Sequence, residues 1–171
     1  MHLLIDGYNL LHSYRPMYPL NPVQLQWERE RLIHQLAFYS RSRSCGITVV
    51  FDGWQGGWPT ERREKQRGIE IIYSKVGEKA DEVIKRLIRE RGAGTVVISS
   101  DREIAKFASR FSVAVVSSEQ FQERLRKVES MREEGMGKEV EEEEYQGSKK
   151  KGPSRRLSKR ERRLRGVLEK L

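Results

Sequence analysis

Five short, nearly unbroken apolar runs punctuate the chain: 3–5, 47–51, 69–73, 95–98 and 113–116. Continuous hydrophobicity over so few residues marks strands buried on both faces, as in parallel sheets, and not the alternation of a half-exposed sheet. Between the runs the spacing becomes helical. Leu25, Leu32, Leu36 and Tyr39 recur behind an Asn21-Pro22 start, which supplies an N-cap and a first helical residue. That helix is predicted to run to about residues 41–43. Val83, Ile84, Leu87 and Ile88 form a second stripe that stops at Gly92. A short helix is predicted from Arg102. Phe121, Leu125 and Val128 stand at i, i+4 and i+7 behind Ser117 or Ser118 as a cap. Strands alternating with helices predict an α/β fold with a mostly parallel sheet of about five strands, covered on both faces.

Two stretches of the core lack either period. Residues 11–20 read as a loop holding His12, Tyr14, Arg15, Pro16 and Tyr18. Residues 53–68 read as an exposed loop, glycine-rich and with two tryptophans at first, then strongly charged. Past about residue 131 the composition shifts again. The expected division is a domain over 1–131, an acidic-to-basic linker over 132–157, and a short basic amphipathic helix over 158–171.

Acids recur where the strands end. Asp6-Gly7 follows the first run, Asp52-Gly53 the second and Ser99-Ser100-Asp101 the fourth, while Asp81 opens the helix after the third. In open α/β sheets ligands bind beyond the carboxyl ends of the strands. Asp81 shares the buried face of its helix with Ile84 and Ile88, so its carboxylate is expected to point inward. Each acid alone suits a turn or a cap. Together they would repel, and such a set persists most easily around a cation. All-oxygen ligation points to magnesium or manganese. Asp6, Asp52, Asp81 and Asp101 are therefore the candidate metal ligands. Asn9, three residues after Asp6, is placed to orient a ligand.

The formal net charge is +9, and it is unevenly spread. Residues 149–171 hold eleven Lys or Arg against two Glu, whereas 133–148 hold seven Glu against one Lys. A basic end of this kind suits a polyanionic partner. Lys149, Lys150, Lys151, Arg155, Arg156, Lys159 and Arg160 are its candidate RNA contacts. Within the domain, Tyr8, Tyr14, Arg15, Trp54, Trp58, Arg62, Arg63 and Lys79 combine rings for stacking with cations for phosphate. One cysteine, Cys45, leaves no internal disulfide and fits a reducing, cytoplasmic compartment. No run is long enough to span a membrane, and no secretory leader is expected.

These residues resemble a known family. Ile5-Asp6-Gly7-Tyr8-Asn9, Val50-Phe51-Asp52-Gly53, Ala80-Asp81-Glu82 with Ile84, and Ser99-Ser100-Asp101-Arg102-Glu103 together look like the YacP-like NYN domains, a branch of the PIN-like nucleases. The likeness spans nearly the whole chain in order, including Arg155-Arg156-Leu157-Ser158-Lys159 near the end. It implies a three-layer PIN-like α/β/α fold and metal-dependent endoribonuclease activity on mRNA, in the context of the ribosome. It also implies that Asp6, Asp81 and Asp101 are metal ligands with Asn9 in support. Lys79 departs from the pattern, standing where such proteins often carry a small hydroxyl residue. The expected function is thus a cytoplasmic, metal-dependent endoribonuclease. Its rivals are a non-catalytic RNA- or ribosome-binding factor on the same fold and, last, a phosphohydrolase of small molecules.

Overall fold

All five apolar runs are strands. The computed structural model describes residues 1–13, 21–53, 58–135 and 166–167, the side chains of 132–135 excepted. In chain order the elements are β1 (His2–Asp6), α1 (Gly7–His12), α2 (Pro22–Arg43), β2 (Gly46–Phe51), β3 (Arg62–Gln66), β4 (Ile69–Tyr73), α3 (Ala80–Arg91), β5 (Thr95–Ile98), α4 (Arg102–Arg110), β6 (Ala114–Val116) and α5 (Ser118–Gly135). The strands form one sheet in the order β3-β4-β2-β1-β5-β6. Every pairing is parallel except that of β3 with β4.

The period-2 pleat divides the core into two layers. Leu3, Ile5, Val49, Phe51 and Ile71 pack on one face with Leu10 of α1, Leu32 and Leu36 of α2, and Phe121 and Leu125 of α5. Leu4, Val50, Ile72 and Val97 pack on the other with Val83, Ile84 and Leu87 of α3 and Ile104 of α4. Burying each such side chain contributes about 1.5–3 kcal/mol. The result is the expected α/β/α sandwich with a central, mostly parallel sheet.

Three local readings change. The sheet has six strands and not about five, because Arg62–Gln66 pairs with Ile69–Tyr73 inside the expected loop 53–68. Its turn, Arg67-Gly68, has positive φ at both residues (51° and 88°), the geometry of a tight two-residue hairpin. The chain after Asp6 is a short helix, α1, with Asp6 as its N-cap. Finally, α5 continues to Gly135, beyond the expected boundary at 131. The remainder of the linker and most of the basic helix lie outside the described residues. Of that end, Gly166 and Val167 are helical, and Val167 packs against the larger core cluster.

The glycines after Asp6 and Asp52 have packing causes. A Cβ on Gly7 would stand 2.3 Å from the Phe51 ring, and one on Gly53 only 1.8 Å from the Ser74 carbonyl oxygen. No helix among the described residues is long and apolar enough to cross a membrane.

Candidate active site

The sheet order opens a crevice at one place. From β1 the chain crosses by α2 to β2 on one face, and from β4 it crosses by α3 to β5 on the other. β1 and β5 are neighbours whose connections leave in opposite directions, which is the switch point where ligands bind in open α/β sheets. Asp6 ends β1 and Ser99-Ser100-Asp101 follows β5, so both flank that crevice.

Asp6 shares the pleat of Leu4, which packs toward α3 and α4. It is only 7% exposed. Its Oδ1 accepts from the Asn9 backbone N–H at 3.1 Å, capping α1, and its Oδ2 accepts from Ser99 Oγ at 3.3 Å. Ser99 Oγ in turn accepts from the Asp101 N–H at 3.1 Å. Asp101 is the N-cap of α4, with Oδ1 accepting from Glu103 N at 2.6 Å and Ile104 N at 3.2 Å. Asp81 lies in the first turn of α3.

Electrostatics tie these three acids together. Burial pushes the Asp6 carboxyl up to about 6; the Asn9 N–H and the Ser99 hydroxyl work against that rise, and the charges of Asp81 and Asp101 add to it. Asp81 is also raised, first by burial and then by Asp101, with Lys85 and Lys79 opposing and Glu103 adding. Asp6, Asp81 and Asp101 therefore share one field, and Glu103 joins them. Asp52 stands apart. Its Oδ1 accepts from Ser74 Oγ at 3.2 Å, while Ser74 Oγ accepts from the Gly53 N–H at 3.0 Å. The charge of Asp52 is felt at Tyr8. Among the described residues, no three carboxylate, imidazole or thiol groups are arranged to hold one metal ion as they lie.

Asn9 braces the crevice wall. Its Oδ1 accepts from Ser100 N at 2.9 Å and from Ser118 Oγ at 2.6 Å. Ser100 Oγ accepts from Ser118 N at 3.0 Å and donates to Glu119 Oε2 at 2.7 Å. The turn that carries Asp101 is thereby fastened to α1 and to the start of α5. The amide nitrogen of Asn9 is what remains for a ligand.

Of the expected RNA contacts, Tyr8 is half-buried, its ring edge-on to Phe51 with centroids 5.2 Å apart. Trp58 meets Tyr73 edge-on at 5.4 Å, and the Arg62 guanidinium lies 4.8 Å above the indole. Arg62 also pairs with Glu64. Arg63 is taken up by Glu61 at 2.7 Å and Glu70 at 3.8 Å. Lys79 is exposed and occupies the N-cap of α3 without a side-chain capping bond. Tyr14, Arg15, Trp54, Lys149, Lys150, Lys151, Arg155, Arg156, Lys159 and Arg160 lie outside the described residues. Sequence reasoning gave Ser99, Ser118 and Glu103 no part in the site, reading Ser118 only as a possible helix cap. Glu103 was visible as an acid in the first turn of α4, but the bonds from Ser99 to Asp6 and from Ser118 to Asn9 join residues far apart in the sequence.

Comparison with known proteins gives the fold its relatives. The chain is similar to the crystal structure of Rae1 (YacP) from Bacillus subtilis, with a TM-score of 0.64, 25% identity and 80% of each chain covered. A tryptophan-to-leucine mutant of that protein gives a TM-score of 0.65 at 23% identity, covering 78% of this chain and 79% of the other. Among curated sequences, the "Uncharacterized protein YacP" of Bacillus subtilis (strain 168) is 31% identical over 87 residues, 50% of this chain. The match spans about half of that relative's length, 49%. The family model described as "YacP-like NYN domain" matches residues 3–166. With nearly its whole length matched and the fold shared, this chain belongs to the YacP-like NYN domain family, within the PIN-like nucleases.

Proposed function

We propose that this protein is a metal-dependent endoribonuclease that cleaves mRNA in association with the ribosome. One observation supports the reading: buried Asp6, at the switch-point crevice, feels the charges of Asp81 and Asp101, which come from distant parts of the chain. Folding gains nothing from gathering like charges, and the buried one is held at about 6. A binding role for a cation explains the expense. The donors are hard oxygens, which fit magnesium or manganese better than zinc or copper. Asp6, Asp81 and Asp101 would hold the ion, and Glu103 would add to the attracting field. Asp52, bonded to Ser74, would act through Tyr8, which feels its charge. When bound, such an ion polarises a phosphoryl oxygen and lowers the pKa of a water.

The chain's own groups do the positioning. Ser99 and the Asn9 N–H fix both oxygens of Asp6. The α4 cap fixes Asp101, and the Asn9 side chain fixes the turn that bears it. Lys79 and Lys85 temper the charge of Asp81 and would meet phosphate from that side. RNA as substrate follows from the nuclease family and from the basic balance of the chain. The +9 charge of residues 149–171 supports a tether to structured RNA, ribosomal RNA in this reading.

The rival, an RNA- or ribosome-binding factor without catalysis, draws on the loose arrangement of the acids and on the lysine beside them. Labelled RNA, free and ribosome-bound, incubated with magnesium, manganese or chelator, separates the two. Cleavage products are expected with divalent metal and none with chelator, and Asp81→Asn is expected to lower the rate about a hundredfold or more. RNA affinity indifferent to divalent metal, with no products under any condition, would leave only the binding factor.

A further inference from the structure

Arg29 lies on α2, close to the site but outside every role described so far. Its guanidinium sits 5.8 Å from the centroid of the Tyr73 ring. Nη2 donates to Gln26 Oε1 at 2.6 Å, and Nη1 reaches the Tyr8 hydroxyl at a long 3.4 Å. Nε is buried and has no hydrogen-bond partner. Among the described residues Arg31, Arg62, Arg63, Arg86 and Arg91 each reach a carboxylate, and Arg29 does not. A guanidinium cannot shed its charge. The acids nearest these rings have other partners: Glu64 pairs with Arg62 and meets the Tyr73 hydroxyl, and Asp52 accepts from Ser74. Arg29 is thus a half-buried cation with a spare, desolvated donor and, among the described residues, no ion-pair partner.

Its surroundings indicate which anion. Tyr8, Phe51, Tyr73 and Trp58 touch in sequence, with centroid spacings of 5.2, 5.8 and 5.4 Å. This row starts two residues after Asp6 and passes the carboxyl ends of β2 and β4. Phe51 and Tyr73 are buried and form its floor, while Tyr8, stacked on His12 at 6.3 Å, and Trp58, under Arg62, are half-buried. Partly exposed rings beside cations are how a single strand is gripped, with bases stacked and phosphates paired. A bidentate guanidinium suits a phosphate in particular.

We propose that Arg29 binds a phosphate of single-stranded RNA and, with Tyr8 and Trp58, forms a subsite that leads the strand to the acid crevice. The proposal rests on the nuclease reading for its choice of ligand. Its test does not depend on turnover. In an Asp81→Asn background, the affinity for a single-stranded RNA of about ten nucleotides is measured across a salt series for Arg29, Arg29→Gln and Arg29→Lys. Arg29→Gln is expected to weaken binding about tenfold and to flatten the slope of log K against log salt by about 0.7. Arg29→Lys is expected to keep the slope and lose about threefold, since it keeps the charge and loses the fork. Thermal stability is expected to hold or rise on losing an unpaired cation. Should Arg29→Gln fail to fold, Arg29→Lys decides alone, and an affinity equal to that of the parent overturns the proposal. Unchanged affinity and slope in a folded but less stable Arg29→Gln would make Arg29 a brace, or the seat of a protein carboxylate. RNA binding that depends on Arg29 in a protein whose wild type makes no products keeps the subsite and ends the nuclease reading. Cleavage by the wild type with Arg29→Gln binding normally ends the subsite alone.

Discussion

The two ends of the sheet handle charge in opposite ways. At the carboxyl end Asp6 is raised by burial and by the charges of Asp81 and Asp101, and Asp81 by burial and by Asp101. At the amino end Glu70 is matched. Arg91 Nη2 donates to Glu70 Oε2 at 2.7 Å, and Arg91 Nη1 donates to the fully buried Thr48 Oγ1 at 2.8 Å. Thr48 donates to Glu70 at 2.5 Å, and Arg91 Nη1 also lies 2.6 Å from His2 Nε2. Burial works against the Glu70 carboxylate, but the bonds from Thr48 and Arg91 outweigh it and bring its pKa below the usual value. Burial and Arg91 push His2 down as well, so its ring stays neutral and accepts. One end is finished and stabilises the fold. The other leaves its acids without a matching cation among the described residues, which is the end where the proposed ion would bind.

Breaking either end should reveal that difference. The largest effect is expected from Asp6→Asn. Because its pKa is raised in the fold, Asp6 contributes stability that is fully present below its unfolded value near 3.8 and lost as pH rises through about 6. In chelator at pH 7.5 the asparagine variant should therefore be more stable by up to about 3 kcal/mol, even as it loses activity. Urea melts at pH 7.5 and pH 4 read this directly, and the gain should vanish at the lower pH. Next comes Arg91→Leu, expected to cost about 2 kcal/mol by stranding Glu70 and Thr48, with the pair's partial exposure limiting the loss. RNA cleavage per folded molecule should not change; a fall in that rate would mean that the two ends are coupled. The smallest effect is Lys79→Ser. A serine cap on α3 should add about 0.5–1 kcal/mol, seen as a small rise in Tm. Without the neighbouring ammonium, divalent affinity should tighten a few-fold by titration.

Much of this architecture was readable before any coordinates. The five apolar runs, the α2 cap at Asn21-Pro22 and the Gly92 stop all work through local sequence, and each appears as expected. β3 was hidden because Arg-Arg-Glu-Lys-Gln has no apolar alternation. It is an edge strand of charged side chains, and only the Arg67-Gly68 turn announced it. The short helix α1 was masked because Asp6 and Asn9 satisfy a turn and a cap equally well. That Asp6 feels the charges of Asp81 and Asp101 was legible because all three sit at strand ends or a helix start, which topology brings to one edge. The bond from Ser74 to Asp52 was not, since the two stand 22 residues apart. Arg29 and the Glu70–Arg91 network were invisible for the same reason, since pairing across the sheet leaves no mark on local spacing.

The close contact of Gly53 with the Ser74 carbonyl carries a warning for saturation mutagenesis. Gly7 and Gly53 follow Asp6 and Asp52, and neither has room for a methyl group. A scan scored only by growth or activity would rank both glycines with the acids and draw a catalytic patch larger than the real one. Scoring cellular abundance alongside would separate them, since the glycines would vanish from the soluble pool while inactive acid variants persisted in it.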